Sequence, residues 1–411
     1  MKKKQTPAQK HSPPVGAQAN APTTVRRRKS KRSQTAARRS KAQTASSRPR
    51  PLPALREQID RLDERIVALL NQRAGVALEI GRWKDAQAVE AYVPAREQMV
   101  LKHIQQVNRG PLQNAVLKTI YREIMSSALA LERPVRVAFL GPPATFTHQA
   151  ARARFGGSIN LVACETIGDI FEEVQKGQAE YGVVPIENST EGTVIHTLDL
   201  LMSTPLKICA EIYLRVAHHQ MAPRALAKRR AAIRRILSKP EVFGQCRNWL
   251  RAEMPGVELV PVSSTARAAE MVARAKDAAA IASALAAEMY GLQIMAADIQ
   301  DMCANVTRFL VLGRADSQAT GDDKTSLMFS VKHRAGSLYH ALGAFKKYAI
   351  NLTKIESRPS RLKAWEYIFF VDIEGHADDL KVRRALQDLE KDCALLTILG
   401  AYPRSPETEL E

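Results

Sequence analysis

The longest unbroken helical pattern in the chain constrains its fold more than any other feature. Between Leu55 and Trp83 apolar residues recur mostly at steps of three and four, and no proline interrupts the pattern before Pro94. Such a helix would run for roughly thirty residues, or about 45 Å. Because a long helix with a single apolar stripe cannot bury that stripe by itself, it requires a partner helix.

Two shorter helical patterns follow, over residues 95–108 and 112–132, with a Gly-Pro break between them at Gly110. Together with the long helix they predict an all-helical domain over residues 51–134. Three helices of this size enclose too small a core of their own, so we expect dimerisation to supply the missing burial.

The pattern changes after residue 134. Strand-like apolar runs alternate with helical stretches over residues 135–315, which is typical of an α/β domain. The predicted strands include 135–141, 160–163, 181–186, 207–216 and 234–237. A polar linker follows at 314–324, and residues 324–404 then show the order βαββαβ of a ferredoxin-like α+β sandwich.

Residues 1–50 differ from the rest of the chain in charge. They hold fifteen Lys and Arg and no Asp, Glu or aromatic residue, so only +4 of the net charge of +19 (19 minus 15) lies elsewhere. This segment has little apolar surface to bury and is predicted to be disordered. Four interpretations stay open: an arm for nucleic acid or an acidic surface, an organelle transit peptide, a start codon placed too far upstream, or a solvated tail without a role.

Composition excludes several classes of protein. No apolar run is long enough to span a bilayer, and no apolar core of a secretory signal follows the basic segment. The five cysteines form no CxxC pair, so neither a disulfide framework nor a zinc site is expected. These features favour a cytoplasmic protein in a reducing compartment.

A polar cluster directly after one predicted strand raises a question about function. In GVVPIENSTEGTV (182–194), Glu187 and Asn188 follow an apolar run. One interpretation is a helix start capped by Ser189 or Thr190. The other is a site at the carboxyl end of a strand, where open α/β sheets bind ligands. Both hold if the cap forms part of the site.

Basic residues in the long helix raise a second question. Arg73 and Lys84 are eleven residues apart, about three turns, and share a face. Arg56 lies roughly 260° around the helix from Arg73, so it could serve the pocket of a dimer partner. On spacing alone, solvated helix charges are the simpler explanation.

The stretch LREQIDRLDERIVALLNQRAGVALEIGRWK resembles the long helix of the all-helical chorismate mutases. The resemblance implies that Lys84 faces the ether oxygen whose bond breaks and that Glu97 binds the ring hydroxyl. It also implies that the substrate carboxylates are held by Arg56 (from the partner), Arg73, Lys84 and Arg96. These residue types suit the chemistry, because a pericyclic rearrangement needs no base. The site has to hold a compact dianion and stabilise charge growing on the ether oxygen.

The third helix departs from the family pattern. Glu132 stands where a glutamine usually donates to the ether oxygen, Ala128 replaces a serine and Val93 replaces an aspartate. A carboxyl group donates a hydrogen bond only when it is protonated. Glu132 and Lys84 are the two residues expected to act on the breaking bond. We therefore expect mutase activity to be higher at acidic pH, where Glu132 can donate a hydrogen bond.

Seven stretches between residues 137 and 313 resemble the prephenate dehydratases and occur in one order. They are VAFLGPPATFTHQAA (137–151), VVPIENSTEGTV (183–194), VAHHQM (216–221), FGQCRNWL (243–250), SSTARAAE (263–270), AAIAS (279–283) and NVTRFLVLG (305–313). The family fold is a pair of α/β lobes like those of a periplasmic binding protein, with the active site in the cleft.

This second resemblance assigns roles to residues of the cleft. Prephenate loses its ring hydroxyl together with one carboxylate as CO2, and aromatisation drives the reaction, so the enzyme mainly helps hydroxide to leave. Thr307 is expected at the leaving hydroxyl, with Glu187 as the candidate proton source. Arg308 would either hold a substrate carboxylate or serve as a structural ion-pair partner. The residues expected to position the substrate are Thr145, Asn188, Ser238 and Gln245.

Two loops depart from the dehydratase pattern. Pro143 and Ala144 stand where Glu-Gly is usual, and Lys239 and Glu241 stand where His and Gln are usual. These changes bear on substrate affinity rather than on the class of reaction. Among the remaining polar residues of these motifs, Thr147 and His148 are candidate pocket residues. For His218 and His219, ordinary packing or an interface is the preferred explanation.

The segment GSLYHALGAFKKYAINLTKIESRPS (336–360) resembles the ACT domain that binds L-phenylalanine in these enzymes. A loop entering a helix offers backbone N–H groups to a carboxylate. The residues that the resemblance assigns to the effector are Gly336, Ser337, Leu338, Asn351, Glu356, Ser357 and Arg358. We expect phenylalanine to bind between two such domains and to inhibit the enzyme. A ferredoxin-like dimerisation domain is the alternative.

The resemblance covers roughly residues 52–404 and is to the bifunctional chorismate mutase–prephenate dehydratases of phenylalanine biosynthesis, which combine an isomerase and a lyase. It implies chorismate and prephenate as substrates, L-phenylalanine as effector, no metal or organic cofactor, and a homodimer or homotetramer. Neither a membrane nor nucleic acid is an expected partner. The alternatives are a regulatory amino-acid-binding protein with lapsed sites and a nucleic-acid-binding protein. The residues whose intact state argues against lapsed sites are Thr307, Glu187, Asn188, Arg73 and Lys84.

Overall fold

The structure is a computed structural model that describes residues 50–87, 93–332, 334–360 and 366–405. The predicted disorder of the basic segment concerns residues outside these ranges, apart from Arg50. The chain divides into two compact units, Met1–Ile66 and Val67–Glu411, which we describe separately. Among the described residues no helix combines the length and the apolar character needed to cross a membrane.

The helical region contains three helices, as predicted. They are α1 (Leu52–Ala86), α2 (Pro94–Val107) and α3 (Asn114–Glu132). Pro94 occupies the first turn of α2, where its missing N–H costs no hydrogen bond. Gly81 is the buried residue of α1, and a Cβ there would lie 2.9 Å from Cγ of Glu132. The absence of a side chain at Gly81 therefore lets α3 place Glu132 directly against α1.

The two-lobed region follows. Its first lobe contains β1 (Arg136–Leu140), α4 (Phe146–Phe155), β2 (Asn160–Cys164), α5 (Ile167–Gln175), β3 (Tyr181–Asn188), β4 (Gly192–Thr193), α6 (Ile195–Leu201), β5 (Lys207–Arg215) and the returning strand β11 (Val306–Gly313). Its main sheet has the order β2-β1-β3-β11-β5, and β4 pairs with β3. β11 is antiparallel to both of its neighbours, so its amino end lies beside the carboxyl end of β3.

The second lobe is inserted between β5 and β11. It contains β6 (His219–Ala222), α7 (Arg224–Ala227), a 3₁₀ turn (Arg230–Ala232), β7 (Arg235–Ser238), α8 (Pro240–Gln245), α9 (Arg247–Glu253), β8 (Glu258–Pro261), α10 (Thr265–Val272), β9 (Ala278–Ala282), α11 (Ala284–Tyr290) and β10 (Gln293–Ala296). The sheet order is β10-β6-β9-β7-β8. Its central strand AAAIA is buried along its whole length, as expected for a strand covered on both faces.

The helix start predicted at Ser189 or Thr190 is wrong. β3 continues through Asn188, and β4 folds back to pair Gly192 with Asn188. The side-chain oxygen of Asn188 accepts hydrogen bonds from the backbone N–H groups of Thr190 and Glu191, each at 2.9 Å. Turns and helix caps favour the same residue types, because both need a side-chain acceptor for nearby N–H groups. Here that acceptor stabilises a hairpin.

The C-terminal region confirms the predicted βαββαβ order. It contains β12 (Asp323–Val331), α12 (Ser337–Lys347), β13 (Leu352–Pro359), β14 (Tyr367–Glu374), α13 (Leu380–Asp392) and β15 (Cys393–Pro403), with the sheet order β13-β14-β12-β15. One face of the sheet packs its apolar side chains, such as Phe329, against α12 and α13. The other face packs Met328 and Phe370 into the core of the first lobe beside Leu310.

A buried ionic network joins the C-terminal sheet to the first lobe. The Arg308 guanidinium on β11 donates to Glu211 at 2.9 Å, to Asp372 of β14 at 2.5 Å and to the Tyr402 hydroxyl at 3.0 Å. Lys324 of β12 also donates to Glu211, at 2.8 Å. All five side chains are almost completely buried, and each charge has an opposite charge in contact.

The network holds Asp372 in its ionised form. Burial acts to raise the pKa of Asp372, but Arg308, a hydrogen bond from Ser326 and the charge of Lys324 outweigh it and lower the pKa below its ordinary value. Removing one partner of such a buried pair leaves the other charge without compensation, which is strongly destabilising.

We predict that Asp372→Asn destabilises the protein by about 3 kcal/mol or more at neutral pH. Because the pKa of Asp372 is lowered by folding, the stabilisation is complete above the pKa of the unfolded carboxyl and is lost as the pH falls through the folded-state pKa. The difference between wild type and variant should therefore shrink toward acidic pH. Urea unfolding at several pH values measures it.

The matched control for this prediction is Asp378→Asn. Asp378 belongs to the same region but is exposed and pairs with Arg383 at the surface, so its loss should change the stability by at most about 0.5 kcal/mol. Equal effects of the two substitutions at neutral pH would contradict the prediction.

Candidate functional sites

The helical region contains a pocket of about 580 Å³ between α1, α2 and α3. The structure brings five of the predicted mutase residues to this pocket: Arg73, Lys84, Arg96, Glu97 and Glu132. The predicted role of Arg56 in a partner's pocket stays a prediction, because Arg56 belongs to the unit that ends at Ile66.

The charges of this pocket suit a dianion. Five basic residues line it, and two acidic ones, Glu97 and Glu132, so the net formal charge of the lining is +3 (5 minus 2). Lys84 Nζ lies 3.3 Å from a carboxylate oxygen of Glu132, and both side chains are mostly buried. Val93 and Ala128 also line the pocket and make its wall apolar at those two points.

Sequence reasoning missed two arginines of this pocket. Arg122 projects from α3, and Arg154 comes from α4 of the two-lobed region. Arg154 Nη2 lies 3.2 Å from a carboxylate oxygen of Glu97. No motif marks Arg154, since it is one of several basic residues in α4 and lies outside the helical region.

The second site is centred on Asn188 at the carboxyl end of β3. Its amide nitrogen donates to the Thr307 hydroxyl at 2.8 Å and to the Asn305 side-chain oxygen at 2.7 Å. With the two turn N–H groups bound to its oxygen, the amide of Asn188 is fully used. Thr307 Oγ thus accepts from Asn188, and no described residue accepts from the Thr307 hydroxyl. Its hydrogen is available to a ligand.

A hydrogen-bonded chain continues from this centre into the second lobe. The Asn305 amide donates to Gln245 Oε1 at 3.3 Å, and His218 Nε2 donates to the same oxygen at 2.7 Å. The Gln245 amide in turn donates to Glu191 at 2.8 Å. The predicted residues Asn188, Gln245 and Thr307 therefore meet, and Asn305, His218 and Glu191 join them. The sequence could have pointed to Asn305, because it lies two residues before Thr307 and residues two apart in a strand share a face.

Burial keeps the histidine of this chain neutral. It lowers the pKa of His218, while the hydrogen bond with Gln245 acts in the opposite direction. A neutral ring that donates from Nε2 has Nδ1 as an acceptor, and Nδ1 is buried with no hydrogen-bond partner among the described residues. His218 is buried, as the packing interpretation expects, but it also contacts the site through its hydrogen bond to Gln245.

Glu187 does not accompany Asn188 into the site, because neighbouring residues of a strand face opposite sides of the sheet. Its carboxylate pairs with Lys354 of β13 at 2.6 Å, and its side chain is 40% exposed. Lys354 belongs to the C-terminal region, so Glu187 faces that region while Asn188 faces Thr307. The prediction of Glu187 as proton source for Thr307 is therefore wrong in this structure, because the two side chains lie on opposite faces of the sheet.

The same alternation separates Arg308 from Thr307. Arg308 lies opposite Glu187 in the sheet register, and its guanidinium is taken up by Glu211, Asp372 and Tyr402. Of its two interpretations, the structural ion-pair partner describes these contacts, and the assignment to a substrate carboxylate is corrected.

The hydroxyl groups of Thr145 and Ser238 have protein partners. Thr145 caps α4, donating to the Leu140 carbonyl at 2.8 Å and accepting from the His148 N–H at 3.3 Å. Ser238 donates to the Ile281 carbonyl at 2.7 Å. The Thr145 hydroxyl thus holds the loop after β1, and the Ser238 hydroxyl joins the end of β7 to β9. Contact of either hydroxyl with substrate stays a prediction.

The two altered loops have local explanations. Ala144 has a φ of 70°, a conformation in which glycine is free of strain, which accounts for the glycine usual there. Its N–H donates to His148 Nδ1 at 2.9 Å. Lys239 and Glu241 pair with each other at 3.1 Å, so their substitution adds little net charge near the cleft.

The predicted effector residues fall into two groups on opposite faces of the C-terminal sheet. Glu356 accepts from the Thr193 hydroxyl at 2.9 Å, and Arg358 binds Asp199 of α6 at 2.9 Å. Both therefore face the first lobe, as Lys354 does. By register Ser357 lies beside Phe369, on the helix-covered face. The remaining members, Gly336, Ser337, Leu338 and Asn351, lie at the two ends of α12.

Comparisons with known proteins match the chain along most of its length. Family models match as chorismate mutase type II over residues 55–133, prephenate dehydratase over 137–317 and the ACT domain over 325–391. The bifunctional chorismate mutase/prephenate dehydratase of Aquifex aeolicus is 44% identical over 358 residues, which are 86% of this chain and 98% of that protein.

Two solved structures resemble part of the chain. The prephenate dehydratase of Arthrobacter aurescens in complex with L-Phe has a TM-score of 0.61 at 33% identity and covers 66% of this chain and 90% of its own. GqqA, described as a quorum-quenching acylase, has a TM-score of 0.59 at 34% identity and covers 66% and 98%. The relative from Aquifex aeolicus spans more of the chain than either. On these matches, the chain belongs to the family of bifunctional chorismate mutase/prephenate dehydratases with a C-terminal ACT domain.

Proposed function

We propose that the helical pocket rearranges chorismate to prephenate and that the site around Asn188 converts prephenate to phenylpyruvate. Family membership supports both steps. The observation that carries the second step is the hydrogen bond from Asn188 to Thr307, which leaves the hydroxyl hydrogen of Thr307 without an acceptor among the described residues. The first step is supported by the basic lining of the pocket.

The mutase step needs a fixed cationic cradle and no acid–base catalyst. Arg73 and Arg96 bind the two carboxylates of chorismate and hold the compact conformer, which removes most of the entropic barrier. Lys84 stabilises the negative charge that develops on the ether oxygen as the carbon–oxygen bond breaks. Because Glu132 lies 3.3 Å from Lys84, an ionised Glu132 weakens that stabilisation.

The dehydratase step balances around the leaving hydroxyl. The electron pair of the carbon–carboxylate bond enters the ring as CO2 departs, and the ring expels the hydroxyl on its opposite side, which takes a proton from solvent and leaves as water. Thr307 donates a hydrogen bond to that oxygen while charge develops on it. Asn188 holds the threonine hydroxyl in the donating orientation, Asn305 holds Asn188, and Gln245 holds Asn305.

We predict that Thr307→Val slows phenylpyruvate formation about 100-fold, because valine keeps the shape and removes the donor. With chorismate as the substrate, prephenate should then accumulate while chorismate disappears at the wild-type rate. Thr307→Ser, which retains the hydroxyl, is the control and should stay within about tenfold of wild type. A Thr307→Val enzyme as fast as wild type would refute the role of Thr307, and a wild type that leaves chorismate intact would refute the proposed function.

We predict that Glu132→Gln raises mutase kcat/KM about tenfold at neutral pH, because glutamine donates to the ether oxygen without being protonated and leaves Lys84 its full charge. The wild-type mutase rate should rise toward acidic pH, and that of the variant should depend less on pH. The two pH profiles of kcat/KM measure this, and superimposable profiles would show that Glu132 has no such role.

We further propose that L-phenylalanine binds the C-terminal region and inhibits the dehydratase. Support comes from the ACT match and from the relative solved with L-Phe. Ser337, in the first turn of α12, is buried and its hydroxyl has no hydrogen-bond partner among the described residues. The sheet lies between α12 and the first lobe, and on the side of the first lobe Lys354 of β13 pairs with Glu187, the residue next to Asn188. A shift of β13 on binding would therefore move Glu187, which adjoins Asn188 along β3.

We predict that Arg358→Ala weakens inhibition by phenylalanine at least about tenfold, since it removes a clamp between β13 and α6, while the affinity for phenylalanine changes less. Inhibition assays and calorimetric binding separate the two quantities. Arg383→Ala, an exposed arginine of α13, should leave both unchanged. Loss of binding in parallel with loss of inhibition would instead make Arg358 an effector contact.

We also propose that a second copy of the chain covers α1, forming at least a homodimer. Among the described residues its apolar stripe is exposed, at Leu55, Ile59 and Leu62 in the first unit and at Val76, Ile80 and Trp83 in the second. A second copy has the same stripe and would bring Arg56 of the partner subunit with it. A monomer in sedimentation equilibrium would contradict this proposal.

A further inference from the structure

The mutase pocket has a wall that does not belong to the helical region. Arg154 and Phe155, the last two residues of α4, line it together with α1, α2 and α3. Arg154 contacts the Glu97 carboxylate at 3.2 Å, and the two side chains are 17% and 8% exposed. The residue expected to bind the ring hydroxyl of chorismate is thus held from the dehydratase side.

The backbone after Arg154 is clamped to α3, so this wall is part of a packed contact. Gly156 has a φ of 77°, and a Cβ there would lie 2.5 Å from Cβ of Ser126. The Gly157 N–H donates to the Glu123 carboxylate at 3.0 Å, and the Ser158 N–H donates to the Ser126 hydroxyl at 3.2 Å. These contacts fix the end of α4, and therefore the base of the Arg154 side chain, against the pocket.

Arg154 also lies in a concentration of positive charge beside Glu97. The pKa of Lys118 is lowered to about 8 by burial and by the charges of Arg122 and Arg154, while Glu97 acts to raise it. Arg122, Arg154 and Glu97 are therefore close enough to Lys118 for their charges to act on its pKa, after burial as the main cause. Glu97 is the acidic group among them and receives the Arg154 guanidinium.

We propose that Arg154 is a positioning residue of the mutase: it orients the Glu97 carboxylate toward the ring hydroxyl of the substrate. The dehydratase domain thereby completes the mutase site. This inference rests on the proposed mutase function of the pocket. The competing role is a purely structural ion pair between the two regions.

The first experiment compares Arg154→Met with wild type in the full-length enzyme. We expect mutase kcat/KM to fall about tenfold, mostly through KM, with prephenate dehydratase kinetics unchanged as evidence of an intact fold. Arg154→Lys keeps the charge and should recover part of the loss. The matched control is Arg152→Met, an arginine of the same helix that pairs with Glu288 on the other lobe, and it should leave mutase kinetics unchanged.

The second experiment separates positioning from a structural role by a double-mutant cycle with Glu97→Gln. If Arg154 acts through Glu97, Arg154→Met should change kcat/KM by no more than about twofold in the Glu97→Gln background. Independent effects of the two substitutions, or wild-type mutase kinetics in Arg154→Met, would overturn the proposal. If Arg154→Met also lost dehydratase activity, the cycle would be run with Arg154→Lys. A wild type without mutase activity would instead refute the proposed function of the pocket.

Discussion

The contact between Arg308 and its two buried carboxylates is the interaction on which the arrangement of the active regions depends. It ties β11 of the first lobe to β14 and β15 of the C-terminal sheet. Because β11 also supplies Thr307, the strand that carries the expected catalytic hydroxyl is held by the regulatory region. An ion pair in this position is costly to desolvate, and the loss of one partner would leave the other charge buried and uncompensated.

Because neighbouring residues of a strand face opposite sides of a sheet, each family motif presents its side chains to two different surroundings. Asn188 and Thr307 face the site, whereas Glu187 and Arg308, their immediate neighbours, face the C-terminal region. On β13 the same rule directs Glu356 and Arg358 toward the first lobe and Ser357 toward the helices. In each motif one residue therefore faces an expected site and its neighbour contacts another region of the chain.

The sequence predicted those parts that depend on periodicity and missed those that depend on what covers a face. Apolar spacing predicted the three helices and the βαββαβ order, and family motifs predicted that Asn188, Gln245 and Thr307 meet. The opposite orientations of Glu187 and Asn188 follow from strand geometry, but only the packing shows that the C-terminal sheet covers the Glu187 side. The Ser189 cap failed because a hairpin and a helix start use the same residue types. Arg154 had no signal, since its role arises from a contact between distant segments.

The wall that α4 contributes to the mutase pocket bears on how such enzymes can be assembled from parts. The family model of the mutase ends at residue 133, and the pocket continues to Phe155. A gene fusion that joined a free mutase to a dehydratase at the family boundary would add a new wall to an existing site. If that wall acts on Glu97 as proposed, exchanging one half between members of the family would also change the mutase site. The end of the family match and the end of the pocket lining lie at different places in this chain.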